Sequence, residues 1–347
     1  MSSTCREVRV RSVQSERRAS QLDVAKRAGV SRSTVSFVIN DVADAGISQD
    51  TRERVWAAAR ELGFRPNQLA RGLRSNKSNV LGLITQEIAS TPYAVAIIRG
   101  AQDSAQRHGK TLLIIDTDGA PAAADDAVMR MKQWQVEGLI LATEHHRELT
   151  LPASLDATPV VLADCFTAGD RVPCIVPDER QGGRLAAQTL LAAGHRRIGF
   201  INGPNSYPAS AGRLRGYLDA HKAYRAKVDE RLIRTGDWWQ ESATNHTSEL
   251  LDLPDPPTAL FCANDWMAMG AYDAIKERGL RIPADIAVIG FDNREEIAAH
   301  MRPTLTSVAL PYHAMGQRAV EYLLGGPAMR HVGKLKLECP LVRRDSA

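Results

Sequence analysis

Residues 20–40 read SQLDVAKRAGVSRSTVSFVIN, and residues 65–77 read RPNQLARGLRSNK. In the first stretch Leu22, Val24, Ala25 and Ala28 form an apolar stripe at helical spacing, and Ser20 stands three residues before Asp23 as an N-terminal capping box requires. One short helix is expected there. Gly29 supplies a position free of Cβ crowding, Val30 turns inward, and Ser31 can cap a second helix from Arg32 to about Asn40. Val35, Val38 and Ile39 then recur at three- and four-residue steps and should face a small core, which leaves Arg32, Ser33, Ser36, Phe37 and Asn40 pointing outward. Helix, tight turn, helix is also the frame that lays the N-terminal side chains of its second helix into a DNA major groove. Arg32 suits guanine and Phe37 a thymine methyl, while Thr34, Ser36 and Asn40 suit phosphate, which positions a helix without reading sequence. An ordinary helical hairpin with a polar face is the competing reading.

A third helix should start at the cap Ser48, run through Val55, Ala59 and Leu62 on one face, and stop at Gly63. It completes a three-helix head over residues 20–66. In residues 67–78, Leu69 and Leu73 lie one turn apart with basic neighbours, but the segment is short and contains Gly72, so alone it is a marginal helix. Two copies in a dimer could meet in the minor groove and wedge Leu73 from each chain into a base step. Asn67, Ala70, Arg71 and Leu73 are the DNA-facing candidates of this hinge. A plain interdomain linker would look much the same.

The charge is unevenly spread. Residues 1–78 carry 15 Lys and Arg against 8 Asp and Glu, a net +7, and the remaining residues carry 29 against 32, a net −3. A basic head on a slightly acidic body is what counterion release from phosphate favours, although scattered surface arginines are common. Residues 1–19 lack periodic apolar content and read as a disordered basic tail. The five cysteines, Cys5, Cys165, Cys174, Cys262 and Cys339, are far apart and form no CxxC pair, so neither zinc nor a disulfide framework is indicated. Free thiols, no membrane-length apolar stretch and no signal-peptide core together predict a cytoplasmic protein.

From Asn79 the chain, 347 residues in all, changes to short apolar runs at 80–84, 111–116, 138–143, 159–165, 197–203, 258–265 and 286–292, with helix-like segments such as 97–109 and 182–195 between them. Continuous apolar strands alternating with helices predict parallel sheets covered on both faces, and their total length exceeds one comfortable core, so two α/β lobes are expected. In such sheets ligands gather beyond the carboxyl ends of the strands. There Asp116, Asp164, Asn202, Asn264, Asp265, Asp292 and Asn293 follow strand runs. Any one of them could simply cap the next helix, but their recurrence suits a polar small molecule. Arg213 could fork toward a hydroxyl pair or a carboxylate, or form a surface ion pair, and Trp238 could stack on a sugar ring or a base, one of the adjacent pair Trp238 and Trp239 being core. Tyr93 follows Pro92 in a loop that could close over the cleft. The His145-His146 pair has no metal-ligand spacing and reads as exposed loop.

Residues 22–40 and 51–83 closely resemble the LacI family of bacterial transcription regulators, and the likeness continues through 176–203, 212–217, 257–293, 302–311 and 341–346 in family order. The resemblance implies a body like the type I periplasmic binding proteins, two lobes joined by three crossovers near Val176, Ser307 and Pro340. Lobe one would comprise about 79–176 and 308–340, and lobe two about 177–307, with an effector held between them. By position Arg32, Ser33 and Phe37 fall where the family reads bases and Leu73 where it inserts a hinge leucine, while Arg213, Trp238, Asn264, Asp292 and Tyr93 match effector contacts. Phe37 departs from the arginine that many members carry. The expected partners are a double-stranded operator, a sugar or related small-molecule effector, and a second copy of the chain, with no cofactor and no metal. An exported binding protein would share the body but not residues 20–77. A nucleotide-binding enzyme would want a GxGxxG or GxxxxGK[ST] turn after a strand, and neither occurs.

Overall fold

The computed structural model describes residues 19–42, 45–65, 78–88, 94–325 and 333–347. The chain divides into two compact units, Met1–Ser78 and Asn79–Ala347. Of the expected site residues, Asn67, Ala70, Arg71, Leu73 and Tyr93 lie outside the described residues, as does the tail before residue 19.

The first unit contains α1 (Gln21–Ala28), α2 (Arg32–Ile39) and α3 (Gln49–Glu61). Local chemistry sets each start. Ser20 and Asp23 form the reciprocal capping box, Ser31 accepts from the Thr34 amide at 3.0 Å, and Ser48 accepts from the Thr51 amide. Gly29, at φ 67°, closes α1 in the left-handed conformation and redirects the chain into α2. Val24, Ala25, Ala28, Val35, Val38, Ile39, Val55, Ala58 and Ala59 make the buried core. Two expected core positions are corrected. Leu22 is 51% exposed and Leu62 is 36% exposed, because each stands at a helix end beyond the three-helix contact, and Ala58 takes the inward place on α3.

The second unit holds two six-stranded sheets. The first has the order β11-β5-β4-β3-β1-β2, built from β1 (Val80–Gln86), β2 (Thr111–Asp116), β3 (Leu139–Glu148), β4 (Val160–Phe166), β5 (Cys174–Pro177) and β11 (Lys334–Leu337). Helices α4 (Val95–Arg107), α5 (Pro121–Gln133) and α11 (Tyr312–Leu324) belong with it. The second has the order β12-β10-β9-β8-β6-β7, built from β6 (Ile198–Asn202), β7 (Ile233–Thr235), β8 (Ala259–Cys262), β9 (Ala287–Asp292), β10 (Thr306–Ala309) and β12 (Leu341–Val342). Helices α6 (Glu179–Ala192), α7 (Pro208–Ala223), α8 (Gln240–Leu251), α9 (Asp265–Glu277) and the short α10 (Glu295–Ala298) accompany it. All pairings are parallel except β10 with β12.

The chain crosses between lobes after β5, after β10 and after β11. The lobe limits need adjusting: Val308 and Ala309 pair with Phe291 and Asp292 in the second sheet, so lobe one resumes after Ala309, and Leu341 returns the chain to lobe two. Continuous burial of the central strands explains why they read as unbroken apolar runs. Cys165, Cys174, Cys262 and Cys339 are buried free thiols.

Candidate functional site

On α2, Arg32 and Ser33 are exposed and Phe37 is 44% exposed, so these three side chains occupy the free edge of the helix. Thr34, Ser36 and Asn40 are half-buried. Asn40 spends its side-chain amide on the Ser36 carbonyl at 2.7 Å, and the Thr34 hydroxyl lies 2.9 Å from that of Ser31, so both also serve the helix ends. Arg27 on α1 pairs with Glu61 on α3 at 2.8 Å and braces the scaffold that presents this edge.

In the second unit a cavity of about 440 Å³ opens between the lobes, at the carboxyl ends of β3, β4, β8 and β9. Lobe one contributes Glu144, His145, His146 and Asp164, and lobe two contributes Arg213, Trp238, Asn264 and Asp292. Asp164, Trp238 and Asp292 have φ of 58°, 76° and 98°. Left-handed backbone at three non-glycine residues around one cavity is costly, and it turns each side chain toward the space between the lobes.

Arg213 is almost fully buried on α7, and its guanidinium forks onto Glu179 of α6, Nε to Oε2 at 2.8 Å and Nη2 to Oε1 at 3.3 Å. It also donates to the Ala263 carbonyl, reaches Asp292 at 3.7 Å, and lies 3.8 Å over the Phe291 ring. Burial alone would depress its pKa, but Glu179 and Asp292 raise it above the ordinary arginine value. The carboxylate that Arg213 forks onto in this structure is that of Glu179, in a buried pair and not a surface one, and Arg213 also lines the cavity.

Asp164 Oδ1 is buried without a hydrogen-bond partner among the described residues. Burial, then the charges of Glu179 and Asp292, push the Asp164 carboxyl well above the usual carboxylate range, against the pull of Arg213. Burial likewise raises Asp292 to about 7, opposed by Arg213 and helped by Glu179. Asn264 caps α9, accepting from the Met267 amide at 2.8 Å and donating to the Trp238 carbonyl at 3.0 Å. It thus holds the loop that carries Trp238. That ring is seated on Gly203, where an added Cβ would come within 2.1 Å of it, and meets Tyr207 edge-on at 5.6 Å.

Other strand-end residues do structural work. Asp265 accepts from the Arg294 amide and the Ser307 hydroxyl, Asp116 accepts from the Glu87 amide, and Asn202 donates to the Ser210 carbonyl. The reading of His145-His146 as exposed loop is corrected. Between the pairs Ala142–Ala163 and Arg147–Cys165, β3 advances five residues while β4 advances two, and this bulge carries both histidines to the cavity wall. His145 meets Tyr207 of the other lobe at 5.2 Å. Burial lowers the pKa of His146, so it is neutral near pH 7. Of the adjacent tryptophans, Trp238 is half-buried against the lobe-two core, and Trp239 is 64% exposed. Glu144, Tyr207, Trp239 and Trp266 also line the cavity, and the sequence had singled out none of them as contacts. Among the described residues no cluster of side chains could hold a metal ion.

A small helical head with a polar recognition edge, on one chain with a two-lobed body around a polar cleft, defines a ligand-responsive DNA-binding protein. Residues 22–67 match the family described as bacterial regulatory proteins, lacI family, and residues 78–336 match periplasmic binding proteins and sugar binding domain of LacI family. The chain belongs to the LacI family. It is 36% identical to the HTH-type transcriptional repressor PurR of Proteus mirabilis (strain HI4320), over 87% of this chain and 88% of that protein. It is 34% identical to the HTH-type transcriptional repressor CytR of Escherichia coli (strain K12), over 95% and 97%. The Lac repressor dimer bound to operator and the anti-inducer ONPF is similar at a TM-score of 0.76 and 30% identity, over 95% of this chain and 99% of that one. The protein is accordingly a transcription regulator and not an enzyme.

Proposed function

We propose that this protein is a repressor that binds a pseudo-palindromic operator as a homodimer and is controlled by a sugar or related metabolite held between the lobes of its body. The observation that carries the reading is the ring of Asp164, Trp238 and Asp292, strained toward one cavity from both lobes. Strain of this kind persists where the surrounding structure holds it for a purpose. The ligand would bring hydroxyl or N–H groups to Asp164 and Asp292, Arg213 would have N–H groups left beyond those given to Glu179 and the Ala263 carbonyl, and Trp238 would cover a ring face.

In the head, Arg32, Ser33 and Phe37 would read base edges, with Thr34, Ser36 and Asn40 set against the backbone and Asn67, Ala70, Arg71 and Leu73 forming the hinge contact. The net +7 of residues 1–78 supplies the salt-dependent attraction to phosphate. Such a protein works in the cytoplasm beside its DNA. Among the described residues no helix is long and apolar enough to cross a membrane.

The test is selection of bound sequences from a random duplex pool, followed by effector titration of the selected complex. A two-fold symmetric site whose affinity shifts with a metabolite supports the reading. A pool that yields no preferred sequence refutes it.

A further inference from the structure

Trp239 and Trp266 line the cleft from neighbouring helices. Trp239 is the N-cap residue of α8 and Trp266 the second residue of α9. Those helices approach so closely that a Cβ on Gly270 would come 2.1 Å from the Gln240 carbonyl oxygen, so their first turns hold a fixed relation. The two indole rings sit 6.2 Å apart, inclined at 50°. Their planes open as a notch, not as a stacked pair. The Trp239 backbone is pinned on both sides, its amide donating to Asp237 Oδ1 at 3.0 Å and its carbonyl accepting from the Ser242 hydroxyl at 3.3 Å. Its side chain nonetheless remains 64% in water. The Arg294 guanidinium lies 5.3 Å over the Trp266 ring, and its Nε pairs with Glu296 at 3.0 Å. Both tryptophans and Arg294 line the same cavity as Asp164, Trp238 and Asp292.

We propose that Trp239 and Trp266 form an outer subsite for a second ring, so that the effector is a two-ring compound with one hydroxyl- or amine-bearing ring against Asp164 and Asp292 and a flat-faced ring in the tryptophan notch. This rests on the cleft being the effector site. The space suits it: about 440 Å³ falls in the range of roughly 300–1,000 Å³ that encloses ligands larger than a single ring. Position suits it too, because both tryptophans line the cavity that holds Asp164 and Asp292 while Trp239 stays largely in water. An aromatic face left in water gains from covering by a ring, and with the backbone already hydrogen-bonded only the side-chain torsions remain to be ordered. The outer ring can come from the carbon–hydrogen face of a second sugar or from the base of a nucleoside.

Calorimetric titration of the full chain with matched probes separates these sources. Glucose would be compared with cellobiose and maltose, and ribose, cytosine and adenine with cytidine and adenosine. The expected result is that one two-ring probe binds at least tenfold tighter than either of its parts. Trp239→Ala and Trp266→Ala should then each weaken that probe by roughly three- to tenfold while leaving the inner ring alone unaffected, and Trp239→Phe should restore most of the loss. Tight binding by a disaccharide assigns the notch to a sugar face, and by a nucleoside to a base. A one-ring part that binds as tightly as its two-ring parent, with both alanine variants silent, overturns the outer subsite and leaves the cleft as the effector site. Binding by no probe, or binding indifferent to Asp292→Asn, removes the reading of the cleft and the outer subsite together.

Discussion

Replacing Arg213 with alanine removes the one cation that three acceptors of the cleft wall share. Glu179 loses a two-pronged ion pair, the Ala263 carbonyl loses a donor, and Asp292 loses the charge that opposes its protonation. Removing one partner of a buried pair costs about 3–5 kcal/mol, because the other charge stays buried without compensation. With two carboxyls and a carbonyl affected, the upper end applies, about 5 kcal/mol. For a body of this size each kcal/mol moves the melting temperature by about 2–4 °C, so Arg213→Ala should melt roughly 10–20 °C lower. The double variant Arg213→Met with Glu179→Leu, which replaces the pair by packed apolar groups, should recover most of that loss. Thermal and urea unfolding followed by circular dichroism at pH 7 measures both. Since the pair lies wholly within the second unit, operator binding at a temperature where the variant is folded should survive while effector response is lost. A single variant within 1 kcal/mol of the parent would show that the Glu179–Arg213 pair does not organise the wall, and the reasoning would fall.

Protonation supplies another test. Asp292 titrates near 7 in the folded chain against about 4 unfolded, so the folded state holds a proton that the unfolded state has lost, and its contribution to stability is full below pH 4 and disappears as pH rises through 7. The lowered pKa of His146, also caused by burial, acts in the opposite direction below pH 6.5. The quantity to measure is therefore the difference between parent and Asp292→Asn, which should shift by roughly 4 kcal/mol between pH 4 and pH 8; a flat difference would contradict the buried carboxyl. Gly203→Val, which drives a side chain into the Trp238 ring, should abolish effector binding at a stability cost of about 1–3 kcal/mol, read by calorimetry and unfolding, whereas unchanged effector affinity would take Trp238 out of the site. Leu73→Ala should weaken binding to the selected operator while leaving effector affinity in the absence of DNA unchanged, and equal operator affinity for both proteins would end the hinge proposal.

The parts of this structure that were legible in the sequence are those set by neighbours along the chain. Ser20 with Asp23, Ser31 with Thr34 and Ser48 with Thr51 are caps closed within one turn, and Gly29 needs only its own φ. The central strands were legible because both faces are buried and their runs are apolar up to the carboxyl end. Helical spacing could not show that Leu22 and Leu62 lie beyond the contact, since a stripe has no marker for where its partner helix ends. β7, β10 and β12 are short, and β10 and β12 pair between residues distant in sequence, so neither periodicity nor composition announces them. The cleft was half legible. Asp164, Asn264 and Asp292 follow strands directly, but Arg213 is satisfied by Glu179, 34 residues away, and that pairing is visible only once α6 and α7 are packed together. The histidines were misread as exposed loop because a three-residue bulge, which no turn motif signals, carries them within β3 to the cavity wall.

The two sheets repeat one strand order, so β4 in the first occupies the place that β9 occupies in the second. Asp164 near the end of β4 and Asp292 at the end of β9 are thus counterparts on opposite lobes, each with left-handed backbone and each raised in pKa by burial, the charge of Asp292 adding to the rise at Asp164. A ligand hydrogen-bonded to both would span the two lobes, so its binding free energy would depend directly on how far apart the lobes stand. Any lobe arrangement that a bound operator favours must therefore change effector affinity by the same factor by which effector changes operator affinity. A ligand gripping only one lobe would bind equally well at every lobe angle and could shift nothing. On the proposed reading, the counterpart aspartates make this cleft capable of a switch and not merely of storage.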